Sequence, residues 1–222
     1  MSDRDTILHS IRESLRASSQ ATAVASTRSD AAGDPIPRTY RESSPRTLAD
    51  RLALFEHRLR DYEAGITRAP ASAIAAAIAQ CLAARFISRL AVPRGLPDSW
   101  LPPGIHFEPA DDLDPAALEA FPGVLTACTL AIAETGTIVL QSGPGQGPRR
   151  LSLVPDYHLC VVLDTQFVDT VPEAFAQLSA TATLPTTFIS GPSATSDIEM
   201  TRVRGVHGPR TLEVILVQHP VS

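Results

Sequence analysis

Three polar, glycine-bearing segments interrupt the apolar second half of this chain, and each gathers residue types able to hold an anion. The first is AIAETGTIVLQSGPGQGPRRLSLVP, residues 131–155. Glu134 follows an apolar run, with Thr135, Gly136 and Thr137 behind it. A carboxylate between two apolar strands is costly to bury unpaired, so it calls for a partner, water or a ligand. Downstream, SGPGQGPRR sets three glycines ahead of Arg149 and Arg150. Glycine lets backbone N–H groups approach an anion closely, and a guanidinium clamps carboxylate or phosphate with paired hydrogen bonds. A plain flexible loop has the same composition.

The second segment is FISGPSATSDIEM, residues 188–200. It reads as a strand ending at Ser190, a turn at Gly191-Pro192, and a short helix carrying Asp197 and Glu199, capped by Ser193, Thr195 or Ser196. A strand–turn–helix N-terminus favours anions. Ordinary hydroxyl capping, with acidic side chains complementing the helix dipole, accounts for the same residues. The third is VRGVHGPRTLEVIL, residues 203–216, where Gly205, His207, Gly208, Pro209 and Arg210 precede an apolar strand. His207 is either a proton shuttle or a hydrogen-bonded turn residue. In open α/β sheets ligands collect at the carboxyl ends of strands, which is where these segments are expected to meet.

Composition removes several classes of chemistry. All 19 basic residues are arginine, so Schiff-base chemistry, lysine-anchored pyridoxal phosphate and a lysine-bearing phosphate loop are excluded. The net charge of −5 and an aromatic content of 5% argue against nucleic-acid binding, which needs a dense basic face or stacking platforms. Cys81, Cys128 and Cys160 stand far apart in apolar runs. That spacing predicts buried, reduced thiols rather than a disulfide framework, a zinc ribbon or an iron–sulfur site. His158 and His207 lack ligand-type spacing, so no metal and no cofactor is expected. No G-x-S-x-G elbow supports a hydrolase. The N-terminal residues carry charges throughout with no apolar run of signal-peptide type, and no stretch nears the ~20 apolar residues of a membrane span. A cytoplasmic location, away from membranes, is expected.

The elements that must position these residues follow from periodicity. Residues 1–17 hold an amphipathic helix over 3–17, with Ile7, Leu8, Ile11 and Leu15 at helical spacing. Residues 18–47, rich in Ser, Thr, Ala, Pro and Arg, bury too little apolar surface to offset their ordering entropy and read as a flexible linker. From Leu48 onward the pattern is that of one domain, 48–222. A helix carries Leu48, Leu52, Phe55 and Leu59 and ends near Gly65; a second spans 70–84, with Pro70 at its start and Ser72 as cap. Strands are expected at 86–92, 105–108, 129–133, 137–142, 157–164, 186–191 and 211–217, and helices at 111–120 and 171–181. YHLCVVLD is a continuous apolar run and reads as a central buried strand. The 129–133 and 137–142 runs, split by Glu134-Thr135-Gly136, suit an antiparallel hairpin. Alternating strands and helices indicate an α/β fold with a largely parallel sheet.

AIAETGTIVL, RRLSLVPDYHLCVV and TFISGPSATSDIEMTRVRGVHGPRTLEVILV, in that order, resemble the LUD domain of the lactate-utilisation protein C family. The likeness is close over 121–218 and loose over 48–120. It implies a three-layer α/β/α fold similar to the NagB/RpiA/CoA-transferase group. It also implies a place in a three-part system that oxidises L-lactate to pyruvate beside iron–sulfur partner subunits. The residues carried over are Glu134, Thr135, Gly136 and Thr137; Ser190, Gly191, Pro192, Ser193, Thr195, Asp197 and Glu199; and Gly205, His207, Gly208, Pro209 and Arg210. With Arg149 and Arg150 they form the expected site for a small carboxylate, and Glu134 is the candidate for any catalytic part. The first reading is thus a ligand-binding or accessory subunit. The alternative is a freestanding CoA-transferase- or cyclo-ligase-like enzyme, because Glu134-Thr135-Gly136 looks similar to the Glu-x-Gly turn of class I CoA-transferases. A third is a regulatory module. Assembly as a homo-oligomer fits any of them.

Overall fold

A computed structural model describes residues 7–13, 39–195, 203–204 and 208–219. The chain divides into two compact units, Met1–Tyr40 and Arg41–Ser222. In the first, residues 7–13 form a helix (α1) with Ile7 and Ile11 exposed. The remainder of the helix expected over 3–17, and residues 18–38 of the expected linker, lie outside the described residues.

In the second unit the helices are α2 (Leu48–Asp61), α3 (Ile74–Ala83), α4 (Pro115–Glu119) and α5 (Val171–Leu178). The strands are β1 (Gly65–Pro70), β2 (Arg89–Val92), β3 (His106–Pro109), β4 (Gly123–Thr126), β5 (Leu130–Ile132) and β6 (Thr137–Gln141). They continue with β7 (Tyr157–Leu163), β8 (Phe167–Val168), β9 (Thr186–Ile189), β10 (Ala194–Thr195), β11 (Val203–Arg204) and β12 (Thr211–Gln218). Among the described residues they form a six-stranded sheet in the order β1-β12-β7-β4-β2-β3, a four-stranded sheet in the order β8-β5-β6-β9, and the pair β10-β11. Every pairing in the six-stranded sheet is parallel. The α/β class and the hairpin of β5 with β6 agree with the sequence reading.

Alternation along the central strands divides the core. Leu159 and Val161 of β7, with Ile215 and Val217 of β12, pack beneath Ile78, Cys81 and Leu82 of α3. Cys160 and Val162, with Leu212, Val214 and Leu216, face Leu52, Phe55 and Leu59 of α2 and the inner residues Ala131, Ile138 and Leu140 of the smaller sheet. The outer face of that sheet, Leu130, Ile132 and Val139, is closed by Ala174 and Leu178 of α5. Helices thus cover both faces of the parallel sheet, and the second sheet is inserted on the α2 side.

Several boundaries differ from expectation. β1 lies where the first helix was expected to run out. It is an edge strand, so its Arg and Pro are tolerated. Ser72 caps nothing: α3 starts at Ile74 after a turn of 3-10 helix, with Ala73 before it and no side-chain cap. Phe86, expected in a strand, has φ 56° and is exposed, and the strand begins at Arg89. β4 was not anticipated. Residues 194–195 pair antiparallel with 203–204, so the expected helix does not begin at Ser193 or Thr195; its residues from Ser196 onward lie outside the described residues.

The last residues of the expected linker, 41–47, belong to the folded unit. The Arg46 guanidinium lies 2.5 Å from Asp169 Oδ1, Ser44 N–H donates to Glu173, and the Glu42 carbonyl accepts from the Thr170 hydroxyl. Arg41 pairs with Glu134, and Thr47 caps α2. Asp169 is fully buried. Burial alone raises its pKa, but hydrogen bonds from Ser44 and Arg46 and the charges of Arg46 and Arg51 prevail and hold it below the usual carboxylate range. Arg46→Ala leaves Arg51, at 4.0 Å, as the remaining cation beside that buried charge, and is expected to cost about 3–5 kcal/mol. Arg41→Ala breaks a solvent-exposed pair and is expected to cost roughly 0–1 kcal/mol. Urea unfolding of the two variants measures the difference; equal losses would contradict the assignment of Asp169 as the anchor of residues 41–47.

Candidate functional site

A cavity of about 200 Å³ opens between β9, the turn that follows it, and the starts of β7 and β12. Three turns build it. The turn before β7 brings Arg149, Ser152 and Leu153; the turn after β9 brings Ser190, Gly191, Pro192 and Ser193; the turn before β12 brings Gly208 and Pro209. Gly191 has φ 88°, and a Cβ there would lie 2.5 Å from Tyr62 Cβ, so the close turn onto the end of α2 requires glycine. Ser193 N–H donates to the Pro209 carbonyl at 2.8 Å and joins the second turn to the third.

The floor is His158, second residue of β7, beside Leu212, second residue of β12. The site therefore lies at the amino-terminal ends of the central strands, not at their carboxyl ends as expected. The reason is topological. Two of its turns lead into strands of the main sheet, and the third leaves the smaller sheet.

His158 is fully buried, and its Nε2 lies 2.8 Å from the hydroxyl of Thr126, also fully buried. Its Nδ1 has no hydrogen-bond partner among the described residues. Burial lowers the imidazole pKa to about 4, so the ring is neutral at physiological pH. Ser152 donates its hydroxyl hydrogen bond to the Arg149 carbonyl at 3.1 Å. The Arg149 side chain is exposed at the mouth, with no ion pair among the described residues. Among the described residues the cavity thus has an exposed guanidinium without an ion pair and, on a lining residue, a buried imidazole nitrogen without a partner, a combination suited to binding a small anion.

Of the residues singled out in the sequence, Arg149, Ser190, Gly191, Pro192, Ser193, Gly208 and Pro209 line this cavity. Thr137 does not, but its hydroxyl lies 2.8 Å from that of Ser190 and 2.6 Å from that of Thr135, so the β5–β6 turn reaches the wall through hydroxyl groups. Glu134 lies away from the lining. Arg41 holds its carboxylate and Arg58 Nε donates to its carbonyl at 3.0 Å. Gly136 serves the packing of that turn, since a Cβ at its φ of 62° would meet Arg58 Cβ at 2.5 Å. Arg150 donates to the carbonyls of Leu113 and Asp111 and fastens its turn to the α4 region. Arg210 pairs with Asp156 at 3.1 Å. Thr195 is in β10; Asp197, Glu199, Gly205 and His207 lie outside the described residues.

The thiols are buried and free. The hydrogen bond to Cys160 and burial raise Cys128 well above the ordinary thiol range, and burial pushes Cys81 up to about 11, so both stay protonated and unreactive at neutral pH. Among the described residues no group of three or more His, Cys, Asp or Glu side chains is placed to hold a metal ion, and no helix is long and apolar enough to cross a membrane.

A family model described as the LUD domain matches residues 116–217, a span that holds Thr126, His158 and every lining residue. A lactate utilization protein C of Deinococcus radiodurans is 45% identical over 182 residues, covering 80% of this chain and 84% of that protein. The chain belongs to the LUD-domain lactate utilization protein C family. A relative of the same name from Halalkalibacterium halodurans is 39% identical over 100 residues, 42% of this chain and 43% of that protein. Among solved structures, a duf162 family protein from Deinococcus radiodurans matches with a TM-score of 0.68 at 40% identity, covering 78% of this chain and 99% of that one.

Sequence reasoning missed His158, Thr126 and Ser152. His158 had a signal: it is the polar residue inside the otherwise apolar run of β7, and such a residue needs a partner. It also sets a pH dependence. The unfolded chain takes up its proton below about 6.5, whereas the folded protein does not until about 4. Stability is therefore complete above 6.5 and falls as the pH drops through that window, by about 3 kcal/mol at most. His158→Gln is expected to flatten the slope of unfolding free energy between pH 6.5 and 4. An unchanged slope would contradict the neutral, buried ring.

Proposed function

We propose that this chain serves L-lactate utilisation in the cytoplasm as a ligand-binding or accessory subunit. It would bind a small carboxylate in the cavity beside β9 while iron–sulfur partner proteins carry electrons as L-lactate becomes pyruvate. The names of its relatives support the process. The observation that carries the binding role is the presence at one cavity of Arg149 and of a buried His158 nitrogen, both without a partner among the described residues. A guanidinium offers a fork of donors that matches a carboxylate, and the volume suits a ligand of a few heavy atoms. The transferase-like alternative loses support, because Glu134 is paired with Arg41 away from the cavity.

Two measurements test this reading. Deleting the gene is expected to abolish growth on L-lactate as sole carbon source, and normal growth would remove the process. In thermal unfolding, pyruvate or L-lactate at ~100 times Kd is expected to stabilise the protein by about 2.7 kcal/mol. Arg149→Gln is expected to weaken that binding at least tenfold without moving the unliganded Tm, while Glu134→Gln leaves binding unchanged. The reverse pattern would transfer the site to the β5–β6 turn.

A further inference from the structure

The polar atoms at the cavity floor do not balance. A neutral imidazole has one N–H donor and one acceptor nitrogen, and which is which follows from the bonds the ring makes. Here Nε2 meets the Thr126 hydroxyl at 2.8 Å and Nδ1 meets nothing among the described residues. Thr126 is fully buried, and among the described residues His158 is the partner of its hydroxyl. If Nε2 carried the ring proton, it would donate to Thr126 Oγ1. The proton of that hydroxyl would then be buried with no acceptor, and Nδ1 would be an unmatched lone pair. If Thr126 donates to Nε2 instead, the hydroxyl is satisfied, and what remains unmatched is one N–H on a residue that lines the cavity. Buried polar atoms in native proteins are nearly always paired, so the second arrangement is the favoured one, and its N–H is left without an acceptor among the described residues.

We propose that Thr126 fixes His158 as the Nδ1–H tautomer, and that this N–H is the buried donor to a 2-oxo carboxylate, whose keto oxygen it meets while Arg149 holds the carboxylate. The proposal rests on the reading of the cavity as a carboxylate site and names the class that fits it. A keto oxygen only accepts, so it matches a floor that only donates. The corresponding 2-hydroxy acid brings a proton of its own, which the ring cannot take because its acceptor nitrogen is committed to Thr126. A buried polar group left unpaired is costly enough to give a preference of about tenfold for the oxo acid. On this account Thr126 is a positioning residue, acting through His158.

The test combines ring-nitrogen NMR of protein labelled with 15N-histidine and calorimetric titration with pyruvate, L-lactate, acetate and inorganic phosphate. The Nδ1–H pattern for His158, movement of its Nδ1 resonance on adding pyruvate, and about tenfold tighter binding of pyruvate than of L-lactate are expected. Thr126→Val is expected to weaken pyruvate about tenfold and erase the preference, and Thr126→Ser to restore both. An Nε2–H pattern, an unmoved His158 resonance at pyruvate saturation, or equal affinity for the two acids would overturn the proposal, while Arg149-dependent binding in the same titration would leave the carboxylate reading standing. No binding of any carboxylate overturns both, and phosphate bound in preference to the carboxylates overturns both in favour of an oxyanion site. Should Thr126→Val fail to fold, the wild-type spectra and the pyruvate–lactate comparison decide.

Discussion

A parallel sheet closed on both faces leaves its central strands no water, and most of this architecture follows from that condition. β7 and β12 have neighbours on either side and apolar layers above and below. Every side chain they carry must be apolar or must find a partner inside the protein. Glu213 meets the condition on the α3 face, accepting from Arg85 at 3.0 Å and from the Tyr157 hydroxyl at 2.9 Å. On the opposite face His158 meets it by half, through Thr126; among the described residues the other half is unmet, on a residue that lines a cavity.

The other features of the site hold that cavity open. A small sheet inserted beside α2 brings β9 over the starts of the central strands, and its register sets Ser190 beside Thr137. The turn after β9 fits against Tyr62 because residue 191 lacks a side chain. The strap of residues 41–47, anchored on buried Asp169, fixes the near end of α5 and the β5–β6 turn from outside. The ordinary packing of α2, with Phe55 edge-on to Phe167 at 5.0 Å, gives both sheets a common wall. A small ligand with few contacts needs turns that are already placed, since little binding energy is available to order them.

Much of the fold was legible in the sequence because period and burial agree. The 157–163 run is too apolar to be anything but central, and the 171–178 helix announces itself with Thr170 and Glu173, which cap its start reciprocally. β4 escaped notice because its four consecutive buried residues show no alternation and its first, Gly123, completes Phe-Pro-Gly, which reads as a turn. The candidate site was legible in part. Glycine and serine turns marked its rim, so Arg149, Ser190, Gly191, Ser193 and Gly208 were found. Charge alone misled: Glu134, Arg150 and Arg210 are conspicuous in sequence, yet each is spent on a local bond. The floor lay hidden inside a strand, where a lone histidine reads as core until its neighbours across the sheet are known.

The account stands on a small carboxylate occupying the space between the Arg149 guanidinium and His158 Nδ1. A crystal structure determined in saturating pyruvate measures this directly. The expected map has ligand density in that space, with the carboxylate on Arg149 and an oxygen within hydrogen-bonding distance of Nδ1. Density for pyruvate at another place, such as the hollow between Arg94 and the 143–148 loop, with this cavity vacant, would contradict it.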